Sequence, residues 1–87
     1  MEIKETGVEY VVITEADFED REVTTFETYE EAKAYFRYGV QQSMEMDEVD
    51  RDENNHTIDE IVNDYWYGEF ESGNIRMLEA RKLKVKS

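Results

Sequence analysis

The chain reads as a small α+β fold: a single-layer antiparallel sheet with one or two helices on one face, in the order β-β-α-α-β-β. Three observations predict this. Two early segments, Val8–Thr14 and Arg21–Glu27, are rich in β-branched and aromatic residues. Two Thr-x-x-Glu signals, at Thr28 and Thr57, each open a run of helical period. A Ser72-Gly73-Asn74 turn then separates two further extended runs. At 87 residues, one domain spanning residues 1–87 is expected.

Each element has its own local reason. Val8–Thr14 is almost wholly apolar, the pattern of a strand buried on both faces. Glu15–Asp20 reads as a polar turn with Phe18 tucked back. In the second strand Val23 and Thr25 point one way, Thr24 and Phe26 the other. Thr28 then caps a helix, with Glu31 as the returning carboxylate of a capping box. Ala32, Tyr35, Phe36, Gly39, Val40 and Met44 form its apolar stripe, and Tyr38 stands off it.

Residues 46–55 are the most acidic stretch, expected as an exposed loop or a frayed helix end. Thr57-x-x-Glu60 is the second capping box. Ile58, Ile61, Val62, Tyr65 and Trp66 repeat the helical spacing, so a short helix runs from Ile58 to about Tyr65 and stops near Gly68. A strand through Tyr65-Trp66-Tyr67 is the rival reading. After the Ser72-Gly73-Asn74 turn the last strand can run as far as Val85, favoured by that hairpin turn over a C-terminal helix, for which Leu78, Glu79, Ala80, Arg81, Lys82 and Leu83 have the propensity.

Charge bears most directly on function. Twenty-three Asp and Glu face ten Lys and Arg, a net of -13. Residues 1–75 hold 22 acids and 5 bases, whereas residues 76–87 hold 5 bases and 1 acid. An acidic body therefore carries a basic end, and such a field governs partners and association rates.

Several chemistries are disfavoured. There is no cysteine, hence no disulfide, thiolate metal site or Cys nucleophile. No apolar run nears the roughly 20 residues of a membrane span, and the N-terminus lacks the pattern of a signal peptide. A cytoplasmic protein is expected. Asp50-x-Asp52-x-Asn54 resembles the start of a calcium loop, but position 6 is then Asn55 and position 12 Ile61. Counting from Glu48 puts Asp59 at position 12 and Glu53 at position 6, so neither register works. His56 is the only imidazole. Ser43 and Ser72 lie in no nucleophile motif, and no Gly-rich phosphate loop exists. No enzyme activity, cofactor or metal is expected.

Direct nucleic-acid binding is opposed by the sign of the charge. The basic C-terminal residues are expected to pair with the protein's own acid across the sheet, for example Glu69 and Glu71. The inverse reading is favoured, in which an acidic surface occupies a site built for DNA or RNA. Glu15/Asp17/Glu19, Glu48/Asp50/Asp52 and Glu69/Glu71 are spaced i, i+2, which in an extended chain sets carboxylates about 6.6–7 Å apart, comparable with successive phosphates.

A short, Pro-free, Cys-free, strongly acidic α+β chain resembles the small inhibitors that phages and mobile elements direct against host nucleases, the anti-CRISPR proteins and the DNA-mimic anti-restriction proteins. The strand-to-capped-helix segment from Phe26-Glu27-Thr28 through Ala32 to Phe36 is part of that likeness. These inhibitors share no common signature, so no residue role transfers by position. The resemblance implies a CRISPR effector or similar basic nuclease as partner. The expected contact residues are Asp47, Glu48, Asp50, Asp52 and Glu53 as a phosphate-like patch, with Tyr38 and Met46 as anchors. Glu15, Asp17, Glu19 and Asp20 are a second choice. The competing expectation is a self-associating structural or adaptor domain, a homodimer whose basic last strand pairs with an acidic edge of a second copy.

Overall fold

Alternation along the strands decides which side of the sheet the helices cover. A computed structural model describes the backbone over residues 2–16 and 21–86, and the side chains over 7–16 and 21–80. The order is β1 (Glu2–Ala16), β2 (Glu22–Phe26), α1 (Tyr29–Asp47), α2 (Ile58–Glu60) widening into a π-helical turn (Ile61–Tyr65), β3 (Tyr67–Phe70) and β4 (Gly73–Lys86). The strands form one antiparallel sheet in the order β2-β1-β4-β3. The expected α+β class and element order are both observed. On one sheet face Val12, Ile75, Met77 and Phe70 meet Ala32, Phe36, Val40 and Met44 of α1 and Ile61 and Val62 of the π turn. Each fully buried Phe, Ile or Val here contributes roughly 1.5–3 kcal/mol.

Both caps form as the residue types demand. The Thr57 hydroxyl accepts from Glu60 N–H, and Glu60 accepts from Thr57 N–H, a complete capping box. At α1 the Thr28 hydroxyl accepts from Glu31 N–H at 3.3 Å. The Glu31 carboxylate there accepts a hydrogen bond from the Thr28 hydroxyl at 2.9 Å rather than from a backbone N–H. Gly39 lets α1 approach the sheet, because a Cβ there would collide with Ile75 Cδ1. Gly73 opens β4 at φ 145, where any side chain would meet the Glu15 carbonyl.

Several expectations are corrected. The expected burial of Val8–Thr14 on both faces holds only at its centre. Val12, beneath the helices, is 1% exposed and Val11, on the opposite face, 9% exposed, whereas Val8 at its start is 37% exposed. Glu15 and Ala16 continue β1 instead of turning, and residues 17–20, with Phe18, lie outside the described residues. The β3–β4 turn is Glu71-Ser72, one place earlier than expected, with Phe70 opposite Gly73. Helix and rival strand meet at Trp66, whose left-handed φ of 57 ends the π turn and starts β3. The basic end of β4 lies against the first half of β1, with Glu2 opposite Lys86 and Lys4 opposite Lys84, not against Glu69 and Glu71. β3 is only four residues long and reaches only Gly73–Arg76 of β4, so β1 is the strand long enough to pair with the remainder.

Candidate functional site

The last turn of α1 places charge where a helix disfavours it. Glu45, Asp47 and Glu48 crowd the C-terminus, and no base lies in the last turn. Each carboxylate there opposes the helix dipole, at a cost of about 0.3–1 kcal/mol. Glu48 also adopts the left-handed conformation, φ 56 and ψ 45, that glycine or asparagine usually supplies at a helix end. The closure is otherwise regular. Val49 N–H reaches back to the Met44 carbonyl at 2.9 Å, and Glu48 N–H to Glu45 at 3.3 Å.

Two grooves flank this half of α1. On one side a broad groove of about 980 Å³ has a floor of Met44, Val49 and Ile58, below Glu45, Glu48 and Asp50. Arg37 and Arg51 also line it, but their charges are engaged elsewhere. Arg37 holds Asp59 at 2.6 Å. Arg51 donates to the Asn55 carbonyl at 3.0 Å and lies 4.0 Å from Glu60. Among the described residues, none of Glu45, Glu48 and Asp50 forms an ion pair. On the other side Tyr35, Tyr38, Gln42 and Met46 border a groove of about 230 Å³ against the ends of β1 and β4. Tyr38 is 60% exposed and Met46 73% exposed, so both project from α1 between the two grooves.

The expected contact residues therefore divide. Glu48 and Asp50 share the broad groove, and Tyr38 and Met46 the narrower one. Glu53 is exposed beside Asp47 and Glu71. Asp47 is half-buried and accepts from Ser72 N–H at 3.4 Å, tying α1 to the β3–β4 turn. Asp52 must be removed from the expected patch, because its side chain is turned inward and fully enclosed. Its carboxylate accepts from the N–H groups of Asn54, His56 and Glu69 at 3.1, 2.9 and 3.2 Å. A buried carboxylate is tolerated only with such partners, and here it clasps the acidic loop to β3.

The i, i+2 phosphate spacing fails for the same segment, since Glu48 is left-handed and Asp52 points inward. Glu15 stands on the sheet face away from α1 and meets Arg76 at 3.6 Å. Asp17, Glu19 and Asp20 lie outside the described residues. Sequence reasoning missed Glu45 and Tyr35. The signal for Glu45 was available, because an acid in a last helical turn has no local reason to be there.

The loop's remaining polar groups are structural. His56 stacks on Tyr65 with ring centroids 3.9 Å apart, and its Nδ1 lies 3.9 Å from Asp52 Oδ1. Glu60 is held below its ordinary value, chiefly by the Thr57 N–H, then by the Thr57 hydroxyl. Burial raises the Tyr67 phenol, and neighbouring Glu69 adds to that rise. Among the described residues no three His, Asp or Glu are grouped to hold a metal ion, and no helix is long and apolar enough to cross a membrane. No protein-family profile matches the chain, and no curated protein or solved structure is detectably similar to it.

Proposed function

We propose that this protein is a small acidic inhibitor of a basic nucleic-acid-handling protein, a CRISPR effector or similar nuclease. It binds in the cytoplasm, excludes DNA or RNA by charge mimicry, and works without turnover. One observation carries the reading. Among the described residues Glu45, Glu48 and Asp50 form no ion pair, Glu45 and Glu48 oppose the helix end that carries them, and exposed Tyr38 and Met46 stand on the helix's other flank. Charge kept at a cost to stability is charge that a partner can use. Tyr and Met supply desolvated contacts while the carboxylates steer approach. The patch is Glu45, Glu48, Asp50 and Glu53 with Tyr38 and Met46.

The test is a competition assay against a panel of CRISPR effectors and restriction nucleases, reading DNA binding and cleavage at low and high salt. One target is expected to lose both, with inhibition weakening as salt rises. Glu48→Lys with Asp50→Lys is expected to cut inhibition at least tenfold while the circular dichroism spectrum is retained. A folded double reversal that inhibits as well as the parent refutes the site. A panel in which no DNA complex is displaced refutes the function.

A further inference from the structure

The narrower groove beside α1 is built from residues that the acidic helix end does not explain. Tyr35, Tyr38, Gln42 and Met46 follow one another at spacings of 3, 4 and 4, one flank of a helix. Among the described residues, three of the eight exposed large apolar side chains, Tyr35, Tyr38 and Met46, gather at this groove, so it is more than scattered exposure. Across it stands Glu22. Strand register sets Glu22 opposite Thr14, and Thr14 opposite buried Ile75, so all three share the helical face of the sheet. Glu22 is exposed, lines the groove and has no ion pair among the described residues.

We infer that this groove seats one arginine side chain of the basic partner, its guanidinium over a tyrosine ring and hydrogen-bonded to Glu22. The inference rests on the inhibitor reading for its partner and names a residue which that partner supplies. Size sets the scale. The cavity is about 230 Å³, below the roughly 300–1,000 Å³ of a small-molecule pocket, and suits one long side chain. Chemistry sets the charge. Tyrosine ring faces attract a cation, and an unpaired carboxylate beside them adds a charge-assisted hydrogen bond. Elsewhere on α1 a cation is already held this way, with Lys33 Nζ 5.5 Å from the Tyr29 ring centroid. A planar guanidinium suits the groove better than an ammonium, because it can lie on a ring and still donate in its own plane. The Gln42 amide and the Thr14 hydroxyl are further acceptors on the lining. Met46 is placed to pack the aliphatic stem.

NMR titration of the isotope-labelled full chain with acetyl-Gly-Arg-Gly-amide, at about 0.15 M salt, tests this. Saturable shifts centred on Glu22, Tyr35, Tyr38, Gln42 and Met46 are expected. The citrulline peptide, with a neutral urea in place of the guanidinium, is expected to bind about threefold or more weakly, as is the lysine peptide. Glu22→Gln and Tyr38→Ala, each with an unchanged far-ultraviolet spectrum, are expected to weaken the arginine peptide about threefold or more. Equal binding of arginine and citrulline overturns the inference, since an apolar slot behaves so. Lysine binding as tightly as arginine overturns the choice of guanidinium. Absence of saturable shifts, shifts confined to Glu45, Glu48 and Asp50, or indifference to both variants also overturns it. The same variants separate this site from the function. Groove binding with no nuclease inhibited refutes the function and leaves the arginine seat standing. Inhibition that both variants retain in full refutes the seat and leaves the function standing.

Discussion

Replacing Glu48 separates two costs that the end of α1 carries at once. The left-handed backbone at φ 56 costs a non-glycine residue about 1–2 kcal/mol. The carboxylate at the helix C-terminus adds about 0.3–1 kcal/mol. Glu48→Ala removes the charge and keeps the strain. Glu48→Asn removes the charge and eases the strain. Glu48→Gly removes both, offset by about 0.5–1 kcal/mol of added freedom in the unfolded chain. The net expectation for Glu48→Gly is a gain of about 1 kcal/mol, which for a domain this small raises Tm by about 4–8 °C. The expected order of stability is Gly, then Asn, then Ala, then the parent. Thermal and urea melts by circular dichroism read it, with the urea slope unchanged. Inhibition should run the other way, with all three variants weaker than the parent. A Glu48→Gly protein no more stable than Glu48→Ala would refute the strain argument. Equal inhibition by all four would detach this charge from function.

Other consequences are as concrete. Asp52→Ala removes the buried acceptor of three part-buried N–H groups and should cost about 2–4 kcal/mol, seen as a lower urea midpoint; a neutral result would show the loop holds without its clasp. Because the folded-state value for Glu60 is lowered, its contribution is present above its ordinary value of 4.5 and is lost as pH falls through the lower folded value. A Tm-against-pH curve should therefore flatten over that acid range in Glu60→Gln, and an unchanged slope would assign the acid sensitivity elsewhere. With a net charge of -13, raising salt from about 0.01 to 0.3 M should raise Tm, and a falling profile would mean the acids are already offset. Gly39→Ala should cost about 1–3 kcal/mol by forcing Ile75 aside, whereas helix propensity alone would make it stabilising.

The fold was legible because its signals are local. Alternation in Val23–Phe26, the two threonine caps and the Ala32-Phe36-Val40-Met44 spacing each specify an element without knowledge of the others. What sequence reading lost is non-local. Nothing in Arg76–Lys86 says that its partner is β1 rather than β3, since that depends on the lengths of distant strands. Asp52 looks like its acidic neighbours until Glu69 N–H, seventeen residues away, is brought to it. The candidate site was half legible for the same reason. Tyr38 stands off the stripe by simple helical geometry, and Met46 follows two turns later on the same flank. That Glu48 and Asp50 face the opposite flank emerges only once the helix end is closed.

Counting acids says less about this molecule than sorting them by what they do. Asp47, Asp52, Asp59, Glu15 and Glu60 each satisfy a backbone donor or a guanidinium, and removing any of them weakens a local contact. Glu45, Glu48 and Asp50 satisfy none among the described residues, and the two in or at the last turn of α1 oppose the helix that carries them. A surface selected only for solubility would spread such charges, with both signs interspersed. Here the carboxylates without an ion pair among the described residues, Glu45, Glu48 and Asp50, gather at one helix end. Under the proposed function, that cluster orients a basic partner as well as attracting it. That asymmetry predicts that moving the same charges elsewhere, with net charge held constant, will preserve solubility and abolish inhibition.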